Sequence, residues 1–229
     1  MDFTNSGLVQ HSQRALMEKW YYGWGAYGKK ATKELIDSLI KQYPSNAIWR
    51  SYMMGAVGKT RLCDCYGLVK SYLWWQGDDK DPIYNPIQDR SSTTAYNASK
   101  EKGKIDAMPE IPGLVLYMPG HAGVYVGSGN FIEMMGDGKG ASAGIIRNGA
   151  VSSGSKFTHW FKDSFITYST PNVEQSTSTN IDIPSNWAKE SWAWAKERQI
   201  TDGTNPSGYC TREQVVQLLF NAFKYLDNR

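Results

Sequence analysis

Between residues 114 and 135 the apolar pattern of the chain has a period of two: LVLYM (114–118), HAGVYV (121–126) and FIEMM (131–135). Alternation sends successive side chains to opposite faces, so each run reads as a strand with one face in a core. The last two runs are joined at GSGN, a hairpin turn sequence. Upstream the period is helical: Leu8–Lys19, Ala31–Tyr43 with Leu35, Ile36, Leu39 and Ile40 on one stripe, and Leu68–Trp75, opened by DCYG. Helices first and an antiparallel sheet after them predict an α+β domain over residues 1–171.

Residues 172–182 begin NVEQSTSTN, a polar Ser/Thr stretch with no apolar period, which reads as a linker. Residues 183–229 carry a separate pattern. Ser185 or Asn186 caps a helix with an apolar stripe of Trp187, Ala188, Trp192, Ala195 and Ile200, and DGTNPSG supplies a loop. Thr211 then caps a second helix, whose Val215, Val216, Leu218, Leu219, Phe223 and Leu226 are expected to be its buried face. A helix–loop–helix tail of this size buries too little surface to stand alone, which predicts that it associates with a second copy or another part of the chain.

Composition narrows the function. With 25 basic and 22 acidic residues among 229, the net charge of +3 is too small to point to nucleic acid. No uncharged apolar run approaches the roughly 20 residues of a membrane-spanning helix. MDFTNSGLVQ has neither a basic start nor an apolar stretch, so no secretory signal is visible and synthesis in the cytoplasm is expected. Three cysteines, 63, 65 and 210, make no disulfide framework, and no CxxC or HxxxH spacing points to metal, so neither metal nor cofactor is expected.

Two segments carry chemistry. In RLCDCYGLVKSYLW (61–74), Asp64 is placed to cap a helix with Cys65 in its first turn, where amide N–H groups and the helix dipole favour a thiolate. In PGHAGVYVGSGNFIE (119–133), His121, Gly123 and Tyr125 share one strand face, and the glycine leaves space beside the imidazole. A nucleophilic thiol needs such a base. His11 and His159 read as structural, as do Cys63 and Cys210. GAVGKT (55–60) lacks the first glycine of a phosphate loop, and Asp202–Glu213 lacks the glycine of a calcium loop.

DCYGLV followed by GHAGVYVGSGNFIE resembles the NlpC-type cell-wall peptidases, a papain-like group of cysteine hydrolases. YGWG (22–25) is similar to that family's upstream Tyr-x-Trp-Gly motif. The resemblance implies a papain-like fold with Cys65 as nucleophile and His121 as base. Glu133, about twelve positions after the histidine, would orient it. Tyr22 and Asp64 would contact substrate, and Tyr66, where the family carries serine, would shape the adjacent subsite. A three-residue loop at Ser128–Asn130 pairs Glu133 with Tyr125 on the His121 face, whereas a two-residue loop reverses its face.

The tail is similar to a single S-layer homology repeat, in WAKESWAWAKERQITDGTNPSGYCTREQVVQLLFNAF. That implies contact with a secondary cell-wall polymer through Trp192, Trp194 and Arg212, or self-association. Together the resemblances imply a peptidoglycan hydrolase of endolysin type, released to the wall through a phage-encoded membrane pore, that cuts the stem peptide at the D-glutamyl to diamino acid bond. The same fold also accommodates an N-acetylmuramoyl-L-alanine amidase. A catalytically silent wall-binding or phage structural protein is the reading from another class, and the Cys–His–acid set argues for the enzyme.

Overall fold

The structure, a computed structural model, describes residues 3–136, 138, 140–147, 150–153, 155–169, 189–201 and 212–227. The chain divides into two compact units, Met1–Pro171 and Asn172–Arg229.

The first unit is α+β. Helix α1 (Asn5–Met17) starts where Thr4 Oγ1 accepts the Gly7 N–H at 3.1 Å, satisfying one of the first turn's open amides. Then come β1 (Tyr21–Tyr22), β2 (Tyr27–Lys30), α2 (Lys33–Gln42, capped in the same way by Thr32), α3 (Arg50–Met54) and β3 (Arg61–Cys63). The three strands form a small sheet in the order β1–β3–β2, with β1 parallel to β3 and β2 antiparallel to it. Strands of two to four residues are too short to show a period, and nothing in the sequence distinguishes them from turns. Helices α4 (Gly67–Leu73) and α5 (Ser92–Ala98) follow.

The larger sheet has seven strands: β4 (Lys102–Lys104), β5 (Val115–Met118), β6 (His121–Gly127), β7 (Asn130–Met135), β8 (Gly140–Arg147), β9 (Ala150–Ser153) and β10 (His159–Phe161). Their order is β4–β10–β5–β6–β7–β8–β9, and every pairing is antiparallel. Leu8 and Ala15 of α1 and Leu68 and Val69 of α4 share a core with Val115, Val124, Ile132 and Met134 of the sheet. Burying a side chain such as Leu68 or Val124 completely is worth about 1.5–3 kcal/mol. A second cluster, Leu116, Tyr125, Phe131 and Phe157, gathers residues of the opposite strand parity. The alternation read from the sequence thus serves two cores, one on each face of the sheet.

The second unit contains α6 (Lys189–Glu197) and α7 (Arg212–Asp227). The expected linker, the caps Ser185, Asn186 and Thr211, the residues Trp187 and Ala188, and the loop 202–210 lie outside the described residues. Ile200 is buried, and Arg198 lies over the rings of Trp194 and Tyr225 at 5.0 and 5.5 Å. The stripe of α7 departs from expectation: Val215, Val216, Leu219, Phe223 and Leu226 are exposed, Phe223 at 63%. A pair of short helices has one contact line between them, and it cannot cover a face this wide.

Candidate active site

Cys65 lies two residues past the end of β3, whose pairing with β1 sets Tyr22 opposite Cys63. The turn after β3 is organised by Asp64. Its carbonyl accepts the Leu68 N–H at 3.2 Å, one carboxylate oxygen accepts the Gly67 N–H, and the other accepts the Gly25 N–H at 2.9 Å. Asp64 therefore caps the turn that opens α4, with Cys65 as its first residue. Gly67 is required there, because a Cβ would lie 2.2 Å from the Ala26 carbonyl oxygen.

The sulfur of Cys65 lies 4.0 Å from the carbonyl oxygen of Gly120. The N–H groups of Ala122, Tyr66 and Cys65 itself also point to it. Gly120 and Ala122 are the two chain neighbours of His121, so the thiol is seated at the root of the imidazole. The expected stabilised thiolate is not found. Burial, with a second contribution from the Asp64 carboxylate, pushes the thiol up to about 12 and outweighs the three amides. The group rests as a thiol and needs a base to ionise it. Cys63, fully buried, is also pushed well up, again chiefly by burial.

His121 Nε2 binds Glu133 Oε2 at 2.7 Å. Glu133 is completely buried, and its other oxygen accepts the Ser155 N–H at 2.9 Å. Burial alone would raise this carboxyl, but the hydrogen bonds from His121 and Ser155 prevail and hold it below the ordinary glutamate value. The pairing differs from both expected registers. Gly127 pairs with Asn130 around a two-residue turn, and a bulge between Tyr125 and Gly127 then restores the phase. Glu133 consequently faces Gly123 rather than Tyr125, two residues nearer His121 and on its face. The space beside Gly123 is also occupied. Phe157 fills it, and its ring lies parallel to the imidazole.

A cavity of about 590 Å³ opens over Cys65, lined also by Tyr22, Trp24, Asp64, Tyr66 and Gly120. Tyr22 is half-buried, and burial together with the nearby Cys65 holds its phenol protonated, well above the usual tyrosine range. Tyr66 contributes a wall. It is 3% exposed, and its hydroxyl donates to Asp163, which also receives Arg90. Lys70, paired with Asp89 at 2.9 Å, and Arg90 add two cations to the lining. Among the described residues no group of three or more His, Cys, Asp or Glu side chains converges as a metal site requires.

The structure thus brings together Cys65, His121, Glu133, Tyr22, Asp64 and Tyr66. Trp192 and Trp194 belong to the second unit, where Trp194 is 47% exposed and Trp192 half-buried; the side chain of Arg212 lies outside the described residues. His11 is buried against Ser71, and His159 meets Tyr96 edge-on. Ser155, Phe157 and the Arg90–Asp163 pair escaped sequence reasoning. Only for Phe157 does the sequence carry a signal, Gly123, since a strand glycine marks a close approach.

No protein-family model matches the chain, and no curated protein matches it. Two solved structures are similar to it. One is the peptidoglycan hydrolase RipB from Mycobacterium tuberculosis, at 19% identity and a TM-score of 0.37, over 72% of this chain and 67% of that one. The other is the P60 domain of an antigen from M. avium subspecies paratuberculosis, with the same identity and TM-score, over 72% of this chain and 98% of that one.

Proposed function

We propose that this chain is a cysteine hydrolase that cleaves an amide bond of the peptidoglycan stem peptide. The observation that carries this reading is the geometry around His121. Its Nε2 is engaged by a buried carboxylate, and the thiol of Cys65 lies between its two chain neighbours at the floor of an open cavity. With Nε2 engaged, Nδ1 is the ring nitrogen free to accept a proton.

The chemistry follows from that assignment. Cys65 gives its proton to His121 Nδ1 as the sulfur bonds to the scissile carbonyl carbon. The oxyanion that forms is met by the Cys65 N–H. Collapse breaks the C–N bond, the imidazolium returns the proton to the leaving amine, and a thioester remains. Water, deprotonated by His121, attacks the thioester and releases the carboxylic acid and the thiol. Glu133 stays ionised and stabilises the imidazolium.

Tyr22 and Asp64 bound the cavity beside the sulfur and are read as substrate contacts, with Tyr66 shaping the wall. The bond we assign is that between D-glutamate and the diamino acid, and the chain acts as an endolysin after leaving the cytoplasm. The second unit, with exposed Trp194, is read as the part that docks to the wall or to a second copy.

The test is digestion of purified peptidoglycan and soluble stem peptides by the wild type and Cys65→Ala, with fragments identified by mass spectrometry. The wild type should release peptides with one new amine and one new carboxyl end. Cys65→Ala should lose a factor of about 10⁴ or more. A variant retaining a tenth of the activity would remove Cys65 from the mechanism.

A further inference from the structure

One short stretch of chain, Ser155–Phe157, reaches both members of the histidine–carboxylate pair. At its first residue the Ser155 N–H donates to Glu133 Oε1 at 2.9 Å, while the Ser155 hydroxyl donates to Met135 Sδ at 3.5 Å. Two residues on, the ring of Phe157 lies 5.5 Å from the imidazole of His121, centroid to centroid, and 6° from parallel. Phe157 is 3% exposed and is itself held edge-on by Phe131, at 5.2 Å and 85°. Gly123 makes this possible, because a Cβ there would sit 2.8 Å from Cζ of Phe157.

Each contact removes a motion that the others leave open. A carboxylate bonded through one oxygen can turn about its terminal bond, whereas Glu133 has His121 on one oxygen and Ser155 on the other. An imidazole anchored at Nε2 alone can still tilt about that hydrogen bond. A flat aromatic wall along its face opposes the tilt, and with it the displacement of Nδ1.

We propose that Ser155–Phe157 is a positioning clamp for the His121–Glu133 pair, fixing the carboxylate by a backbone N–H at one end and the plane of the imidazole by an aromatic face at the other. Phe157 meets no reacting atom and acts through His121, so this inference rests on the reading of Cys65 and His121 as the catalytic pair. Misplacing a catalytic group by about 1 Å costs on the order of 10² in rate. A clamp of this kind influences turnover and leaves substrate affinity alone.

The full-length wild type is compared with Phe157→Leu, which removes the flat face, and Gly123→Ala, whose added methyl displaces the ring while keeping it in the protein. Two readouts are taken: kcat and KM on a soluble stem peptide, and the 15N shifts of the His121 ring nitrogens, which report the tautomer without any turnover. Each folded variant should show kcat lower by about 10²-fold with KM within about twofold. Its nitrogen shifts should move from those of one tautomer to an average of two. Wild-type kcat with an unchanged tautomer in either folded variant would overturn the clamp. Gly123→Ala decides the matter if Phe157→Leu does not fold. A wild type that cleaves no stem peptide would overturn the functional reading instead, and the nitrogen shifts alone would then decide the clamp.

Discussion

The phenol of Tyr66, one residue beyond Cys65, donates its proton to the carboxylate of Asp163, which lies almost a hundred residues away in sequence and just past β10. Asp163 is 1% exposed and also accepts from Arg90 Nη2, at 3.0 and 3.2 Å to its two oxygens, and from the Phe165 N–H at 2.9 Å. The turn that carries the thiol is thereby tied to the end of β10 in the large sheet through a buried anion.

Removing that anion leaves Arg90 without its counter-charge in a buried setting. Asp163→Ala should lower unfolding free energy by about 3–5 kcal/mol. Tyr66→Phe leaves the other donors of Asp163 in place and should cost about 1 kcal/mol. Urea denaturation of both variants checks the order. Equal losses would show that the carboxylate is not the hub of this cluster.

Glu133→Gln should be severe although its shape is conserved. The Ser155 N–H needs an acceptor, so it holds the carboxamide oxygen at the Oε1 position and turns the NH₂ toward His121 Nε2. That nitrogen must then be the acceptor, which moves the ring proton to Nδ1 and removes the base. The loss in kcat should approach 10⁴-fold, as for the equivalent change in a serine protease triad. The measurement is kcat on a soluble stem peptide.

A thiol raised to about 12 by burial and by Asp64 predicts the course of alkylation. The thiolate fraction of Cys65 grows with pH up to that value. Its reaction with iodoacetamide should keep accelerating beyond pH 9, with Cys63 slower throughout because it is fully buried. Mass mapping of labelled peptides along a pH series measures this. A rate that levels off near neutrality would mean that the resting group is already a thiolate.

Acid should destabilise the first unit through His11. Burial, with Arg14 and Arg61 adding to it, lowers this imidazole to about 3, and its Nε2 donates to Ser71 Oγ at 2.7 Å. Unfolded His11 takes up a proton near the ordinary histidine value of 6.5, so between there and about 3 the unfolded state binds more protons. Stability is therefore whole above about pH 6.5 and falls as pH drops toward 3, by up to roughly 4 kcal/mol from this residue. His11→Gln retains a donor for Ser71 and does not titrate. Its stability between pH 6.5 and 4 should be flatter than the wild type's in denaturant titrations, and parallel curves would assign the acid sensitivity elsewhere.

The two ends of the first unit meet. Thr4 bridges to Thr167, the Asn5 N–H donates to the Thr167 carbonyl at 3.0 Å, and Asn5 Nδ2 donates to the carbonyls of Pro112 and Ser169. A chain ending at residue 171 should keep its near-ultraviolet circular dichroism and a cooperative thermal transition. One ending at residue 162 loses the bonds to Thr167 and Ser169 together with Asp163 and should lose both signals.

Cys65 was legible as a candidate nucleophile because it stands in a local motif, where cap, thiol and glycine fall within four residues. The strands from β5 to β7 were legible because alternation is strict there. What escaped depends on distance. Phe157 lies in GSKFTHW, which has no period, and its importance comes from standing opposite Gly123 after the chain has gone out along β8 and back along β9. The thiol was misjudged because a helix start is visible in sequence, whereas the burial and the carboxylate that oppose it are properties of the packed turn.

The bulged residue Val126 also bears on how relatives of this protein are to be sought. His121 and Glu133 stand twelve positions apart because the hairpin contains one residue that pairs with nothing. Without it, Gly127 would still pair with Asn130 and Gly123 with Glu133, and the same two side chains would meet from eleven positions apart. The count between imidazole and acid is an accident of one unpaired residue, whereas the shared face is what the chemistry requires. A sequence pattern written with a fixed gap would discard a homologue for a single deletion at a position outside the cavity over Cys65.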